Sequence, residues 1–554
     1  MPTTPPLQIK PRPSAELKKS PSTLRKPPPR ILSSEIAASA VTPGSQETPS
    51  SVYKTPSPIA TPSSSPPTTF PASSSLQVRE ERTEDAEGRF VRDTYATLDS
   101  LGVVGDGFVE GIERTRAKSG MSLASPNSRK PAVDINQYSD ERRKDLTTDE
   151  QRVLESLDRY GFFVVPSHDR LVSLPRDKFS KPLSPLVGAA SKTDARHPAS
   201  PQQLKGLPAS TVSPKEARRI AKWGRMLEAG ERDQGGNVLR WRVKTSKEGK
   251  LRERVFKGVP DRWRAGAWGS FVDRWVGVGD GSWGGGSRLS RLPGKGKGKA
   301  VERLEQLGRE YRDALDQPST YDVQIDLDVP RTISGHVMFR TRYGLGQRRL
   351  FHVLHSFSLR CPDCGYCQGM GPLAATLLCY YEPERVYAAL VALHDSYSMH
   401  SIFSPGFPGL LEAIYVQERV MERMLPGVYE AFKKNMISTT SYATKWYITL
   451  FANTVPFQTQ LRLWDAFFLE GRDVFIIMAV AVVWSLRDYL MSSEANFETV
   501  LSLLSSFFVP EEEDALLKWL ERALDDRKLR SDMARWRNDW AGLVKSGKDG
   551  SALL

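Results

Sequence analysis

Along much of this chain, apolar residues recur at the three- and four-residue steps that put them on one face of a helix. Leu350, Val353, Leu354 and Phe357 fall at i, i+3, i+4 and i+7. Leu373, Leu377 and Leu378 follow the same rule, as do Leu410, Leu411, Ile414 and Tyr415, and later Leu516, Leu517, Leu520 and Leu524. Alternating strand patterns with hairpin turns are scarce. From Val255 to about Leu543 the pattern therefore predicts an all-α body of many short helices. Upstream, Thr147-x-x-Glu150 ahead of Val153, Leu154 and Leu157 has the form of a capping box opening a short amphipathic helix. After a linker rich in Pro, Ser and Ala from about Ser180 to Pro214, Ala217, Ile220, Trp223 and Leu227 resume helical spacing.

Composition changes the picture at two places. Of the 39 prolines in the 554 residues, 17 fall in residues 1–80, where Tyr53 and Phe70 are the only aromatics. That stretch cannot bury enough apolar surface to offset its ordering entropy, so a disordered Ser/Thr/Pro-rich tail is expected. Its eight Ser-Pro or Thr-Pro pairs offer phosphorylation sites in an otherwise low-complexity segment. Residues 277–300 hold nine glycines and the run Lys295, Lys297, Lys299. They predict a flexible insertion, a solvated loop whose functional alternative is a weak electrostatic hold on an anionic membrane surface.

Charge and cysteine narrow the function classes. The net charge of +13 is uneven: residues 241–300 carry 15 Lys and Arg against 5 Asp and Glu, whereas residues 301–554 sum to −5. No base-stacking platform or groove-reading motif accompanies the basic stretch, so nucleic-acid binding is not expected. Cys361, Cys364, Cys367 and Cys379 crowd into nineteen residues, unlike a secreted disulfide framework. A reducing, cytoplasmic setting is expected, with no targeting leader and no prenylation box. The longest apolar run, Val474 to Val483, is shorter than the ~20 residues a membrane span needs.

Two generic chemistries can be weighed. The Gly-Lys pairs of GGGSRLSRLPGKGKGKA lack the following Ser or Thr of a phosphate-binding loop. The spacing Cys361-x2-Cys364-x2-Cys367, near His352 and His355, could hold zinc or an iron–sulfur cluster. Against that, Cys379 falls inside an apolar helical pattern and neither a second CxxC nor a Cys-Pro ligand is present. No metal is expected; a cysteine-cluster metal protein stays as a rival of another class.

The informative constellation is Ile325-x-x-Asp328-x-x-Arg331-Thr332, followed 35 residues later by Tyr366-Cys367-Gln368-Gly369-Met370. Ahead of it stand Phe256-Lys257-Gly258-Val259-Pro260 with Arg264 and Trp268, and His336-x-x-Phe339 follows the arginine. Further on come Trp446-Tyr447-x-x-Leu450-Phe451 and Arg462-Leu463-Trp464-Asp465-x-Phe467-Phe468-x-x-Gly471. This series resembles the TBC domain of Rab GTPase-activating proteins over roughly residues 251–490, with the order of motifs kept. Five motifs in register are far more specific than any one. Composition and the resemblance together divide the chain into a tail (1–80), a partly ordered helical and linker region (81–240), an all-α TBC core (251–490) interrupted at 277–300, and C-terminal helices completing the domain (491–554).

The resemblance implies an activator of a Rab-type small GTPase. Arg331 takes the place of the family's arginine finger, whose planar guanidinium can donate two hydrogen bonds at once to phosphate oxygens. Gln368 takes the place of the second finger, an amide able to orient water and contact the GTPase backbone. GTP and magnesium belong to the partner's site, and the chain needs no cofactor of its own. Membrane association would be peripheral, through the partner or the basic loop. A TBC scaffold that binds a GTPase without stimulating it is the rival within the family. Pro330 biases Val329 away from helix, so Arg331 is expected to leave a loop or a first helical turn. Asp328 can hold the guanidinium, Gly369 permits close backbone approach, and Tyr366 can brace the loop. Ile325, Thr332, Trp268 and Arg264 complete the supporting set. Two positions depart from the family pattern: Ile333-Ser334 stands where Phe-Pro usually follows the threonine, and Gly371 follows Gln-Gly-Met in place of a polar residue.

Overall fold

The computed structural model describes residues 86–101, 148–163, 171–183, 213–232, 235–276 and 299–554. The Ser/Thr/Pro-rich tail, the stretch 184–212, Thr147 and all but the last residues of the Gly/Lys insertion lie outside the described residues.

Helices form where apolar residues step by three and four. Three precede the main body: α1 (Ala86–Leu101), α2 (Thr148–Ser156) and α3 (Pro214–Gly224). At the start of α3 the Ser213 hydroxyl accepts from the Glu216 N–H at 3.2 Å, and Pro214 fills a first-turn position that needs no N–H. There follow α4 (Leu251–Phe256), α5 (Asp261–Val276), α6 (Lys299–Ala314), α7 (Asp322–Asp328), α8 (Leu345–Ser358), α9 (Met370–Leu378), α10 (Pro383–Ser396) and the short α11 (His400–Phe403). The second half contributes α12 (Pro408–Met424), α13 (Pro426–Lys434), α14 (Thr439–Ile448), α15 (Phe457–Glu470), α16 (Asp473–Leu490), α17 (Phe497–Leu504), α18 (Glu513–Asp525) and α19 (Arg527–Lys545).

Burial explains why these helices hold together. On α8, Leu350, Val353, Leu354 and Phe357 are all buried, each worth about 1.5–3 kcal/mol relative to exposure. The run Val474–Leu486 of α16 is buried on every side, as a helix without a polar face must be. It is enclosed by α12, α15 and α18. Among the described residues no helix is long and apolar enough to cross a membrane.

Among the described residues four short strands interrupt the helices: β1 (Leu171–Leu174), β2 (Leu227–Ala229), β3 (Trp241–Val243) and β4 (Phe507–Pro510). β1 runs parallel to β4 with Leu171 opposite Phe507, and β2 runs antiparallel to β3 with Leu227 opposite Val243. Leu227 thus differs from its sequence assignment to the α3 face. The helix stops at Gly224, a weak helix former, and the Met226 N–H turns back to the Trp223 carbonyl at 2.9 Å. Leu227 then buries itself in β2.

The described residues belong to one compact unit. Within it α1 docks on α7 and α8: the Tyr95 ring stacks on Phe351 with centroids 3.8 Å apart, and its hydroxyl donates to Asp326 Oδ1 at 2.8 Å. Asp99 accepts from Arg348 Nε at 2.8 Å. The segment after α2 pairs with the chain beyond α7. The Phe163 N–H donates to the Gly335 carbonyl at 3.0 Å, and the Val337 N–H to the Gly161 carbonyl at 2.9 Å.

Candidate functional site

Helix α7 ends at Asp328, and Val329–Arg331 add one 3-10 turn. Here the structure corrects the sequence expectation: Val329 keeps helical dihedrals (φ −52°, ψ −50°) despite Pro330. Its side chain is fully buried and its N–H bonds to the Ile325 carbonyl, which together outweigh the preference imposed by the proline ring. Ile325 itself is buried on the inner face of α7. The result still points Arg331 outward, with its side chain 63% exposed.

Asp328 is the joint of the site. Its carboxylate is 2% exposed and pairs with Arg331 Nη2 through one oxygen; the other accepts from the Tyr366 hydroxyl at 2.8 Å. Burial, and after it the charge of Asp328, push the Tyr366 phenol well above its ordinary pKa, so it stays a donor. The Thr332 hydroxyl donates to the Asp328 carbonyl at 2.9 Å, locking the turn that presents Arg331.

Gln368 stands exposed on the loop between α8 and α9. Two glycines let that loop lie flat on its supports. Gly365 adopts φ +50°, and a Cβ there would lie 2.3 Å from the Tyr321 ring just ahead of α7. At Gly369 a Cβ would lie 1.9 Å from Ile448 Cγ2 at the end of α14. The start of α9 also meets the arginine turn, since a Cβ on Gly371 would lie 3.0 Å from Thr332 Oγ1. Arg331 and Gln368 are therefore both exposed, on segments joined by the Asp328–Tyr366 bond and by the Thr332–Gly371 approach.

The departure at Ile333 has a definite shape. Ile333 is buried and takes φ +48°, a strained conformation for a β-branched residue, as the chain turns toward Gly335 and its bond to Phe163. A cleft of about 860 Å³ opens there, lined by Arg331 and Ile333 together with Phe162, Phe457, Gln458 and Glu513. Gln368 lies outside it. The sequence reading did not anticipate the contribution of Tyr160–Phe163 to this wall, because its bonding partners are far away in the chain. The acidic run Glu511–Asp514 on the same cleft is visible as four consecutive carboxylates.

Arg264 and Trp268 occupy a different layer. Arg264 lines the cleft but is buried, pairing with Asp465 Oδ1 at 3.0 Å and with Asp261, and donating to the Val259 carbonyl at 2.7 Å. Trp268 is fully buried behind it and donates from Nε1 to the same Asp465 at 2.8 Å. Both hold α5 to α15 and neither reaches the exposed pair.

The cysteines divide. His352 turns to Asp99 at 2.6 Å and His355 to Asp322 at 2.5 Å, so neither histidine that neighbours the cysteines in sequence approaches them. The Cys379 thiol donates to the Ala375 carbonyl within α9 at 3.4 Å. Cys361 and Cys364 instead face His394 and His400, with one potential ligand atom from each of the four within 4.8 Å of the others. No sequence neighbour announces these two histidines, although H-x5-H thirty residues beyond a C-x2-C is a spacing that could have prompted the search.

Known proteins resemble this chain over its helical body. The sequence model of the RabGAP-TBC family, described as the Rab-GTPase-TBC domain, matches residues 294–491. A TBC domain-containing protein of Schizosaccharomyces pombe is 38% identical over 312 residues, covering 55% of this chain and 67% of that protein. The Rab GTPase-activating protein eat-17 of Caenorhabditis elegans is 26% identical over 258 residues, 46% of this chain but only 26% of that protein. Among solved structures, the Chlamydomonas flagellar RabGAP TBC domain aligns with a TM-score of 0.41 at 18% identity, covering 56% of this chain and 92% of that one. From the family match over residues 294–491 and the identity carried over two thirds of the fission-yeast protein, this chain belongs to the RabGAP-TBC family.

Proposed function

We propose that the chain accelerates GTP hydrolysis by a Rab-type small GTPase, with Arg331 and Gln368 inserted in trans into the partner's nucleotide site. The observation that carries this reading is the pairing of two exposed head groups on abutting segments whose backbones are fixed from beneath by Asp328, Tyr366 and Gly369. Hydrolysis requires charge to be stabilised on the β- and γ-phosphate oxygens and a water to be held in line. Arg331 supplies the first. The Gln368 amide, with two donors and an acceptor, supplies the second. Asp328 orients the guanidinium beforehand, so less rotamer freedom is lost when the partner arrives. GTP and magnesium come with the GTPase.

Single-turnover hydrolysis measured across a panel of Rab proteins tests the reading. At least one Rab is expected to be accelerated, and Arg331→Lys is expected to lose about 10³-fold or more, since an ammonium keeps the charge without the two-pronged geometry. Binding of every tested Rab without acceleration would assign the chain a scaffolding role instead.

A further inference from the structure

We infer that Cys361, Cys364, His394 and His400 form a tetrahedral zinc site, which ties the Gln368-bearing loop to α10 and α11. The donor set is two thiols and two imidazoles drawn from two segments about thirty residues apart. Cys364 Sγ lies 3.5 Å from His394 Nε2 and 3.3 Å from His400 Nδ1, and those two nitrogens lie 3.0 Å apart. Cys361 Sγ lies 3.7 Å from His400 Nδ1. A tetrahedron with Zn–S of ~2.3 Å and Zn–N of ~2.0–2.1 Å has edges of about 3.3–3.8 Å; the three sulfur–nitrogen separations fall in that range, and the nitrogen–nitrogen one at 3.0 Å is about 0.3 Å short of it, a shift that a small rotation of either ring supplies.

A hydrogen bond between the two imidazoles fits the 3.0 Å nitrogen–nitrogen contact, but it does not explain why both cysteine sulfurs also converge on His400 Nδ1, at 3.3 and 3.7 Å. One potential donor atom from each of four residues gathered within 4.8 Å is what a shared central ion requires. His394 also carries the outer partner that metal-bound histidines have: its Nδ1 faces Asp395 Oδ1 at 2.7 Å, which leaves Nε2 as the lone-pair donor toward the cysteines. Cys364 and His394 are buried while Cys361 and His400 are partly open, so the site is enclosed yet has an entry.

The local chain is shaped for the same purpose. The Gly365 N–H bonds back to the Cys361 carbonyl at 2.9 Å, curling Cys361–Gly365 so that both thiols face one side. Two thiolates and two neutral imidazoles cancel the charge of a divalent zinc ion, and binding releases two thiol protons. The Cys367 thiol is not part of the gathered set. Four protein ligands leave no open position, so the role is structural, holding a loop that no helix or strand spans.

Elemental analysis of the full-length chain, purified untagged after growth with zinc, is expected to give one zinc per chain. Replacement by cobalt(II) is expected to give the intense visible bands of a tetrahedral thiolate site. Cys361→Ser and His400→Asn should lose the stoichiometric metal, and Cys367→Ser should keep it. Because the cobalt spectrum is read on the unaltered chain, the test stands even if a variant misfolds; because no GTPase is present, it is independent of the activity proposed above. Folded protein with substoichiometric zinc and no tetrahedral cobalt spectrum would overturn the assignment, as would a Cys361–Cys364 disulfide in protein purified anaerobically, or metal lost on Cys367→Ser and retained on His400→Asn.

Discussion

Arg264 and Arg331 line the same cleft, and each pairs with an aspartate three residues earlier, yet their surroundings assign them opposite work. The Arg264 side chain is 4% exposed and its guanidinium is committed to Asp261, Asp465, the Tyr380 hydroxyl and the Val259 carbonyl. Although burial alone would oppose its charge, the carboxylate of Asp465 raises its pKa, so it stays a cation inside the fold. The Arg331 head group faces solvent, oriented by Asp328 but still able to offer donors to an incoming phosphate. Residue type and local spacing are the same in both; burial decides which arginine is framework and which is available.

The sharpest way to break this contrast is to change each arginine and read activity and stability separately. Arg331→Lys is expected to remove about 10³-fold or more of GTPase stimulation, at least ~4 kcal/mol of barrier, while shifting unfolding by ~1 kcal/mol or less because a cation still faces Asp328. Arg264→Ala should do the reverse. It leaves Asp465 without its cation, at a cost of about 3–5 kcal/mol in stability, and any surviving folded fraction should stimulate normally. Single-turnover assays paired with urea melts on both variants check this; equal loss of stability in the two would end the distinction.

A second buried carboxylate sharpens the same point from the other side. Glu418 on α12 is fully buried, and no arginine or lysine is bonded to it among the described residues; it accepts the Leu554 N–H at 3.2 Å. Burial raises its pKa to about 7, with Arg419 lowering it and Glu422 raising it to a lesser degree. In the unfolded chain a glutamate titrates near ~4.3, so the folded state holds the proton more tightly. That contribution is fully present below the unfolded value and is lost as pH rises through about 7. At ~1.36 kcal/mol per unit the loss approaches roughly 4 kcal/mol. Glu418→Gln is therefore expected to match the parent near pH 4 and to be more stable by up to that amount at pH 8. Denaturant melts at the two pH values showing the same difference would contradict the reading.

How far the sequence reached depended on whether the relevant contact was local. The faces of α8, α9 and α18 were legible because each repeats its own apolar step within a dozen residues. The strands were not: β4 is Phe-Phe-Val-Pro, buried at every position, so no alternation betrays it, and its partner β1 lies hundreds of residues away. The segments bearing Arg331 and Gln368 could be named from ordered motifs, but the bond from Tyr366 to Asp328 that joins them could not. Histidines near the cysteines in sequence pointed the wrong way, since α8 carries His352 and His355 toward Asp99 and Asp322. His394 and His400 reach the cysteines only because α10 folds back across α8.

The smallest expected effect tests whether the loop under Gln368 is as fixed as the turn under Arg331. Gly369 is an ordinary-looking residue with a helical φ of −64°, so alanine would suit its backbone; the obstacle is steric. A Cβ would fall 1.9 Å from Ile448 Cγ2 and 3.0 Å from the Ile448 carbonyl oxygen, so the loop or the end of α14 must move. Overpacking of this kind costs about 1–3 kcal/mol. Part of that displacement would reach Gln368 next door, so Gly369→Ala is expected to lower GTPase stimulation as well as the melting temperature. Adding Ile448→Ala removes the methyl group but not the carbonyl, and should restore most of the stability. Were the double variant to regain stability while stimulation stayed low, Gln368 placement would depend on the Gly369 backbone itself; recovery of both would assign the fault to the lost fit against α14.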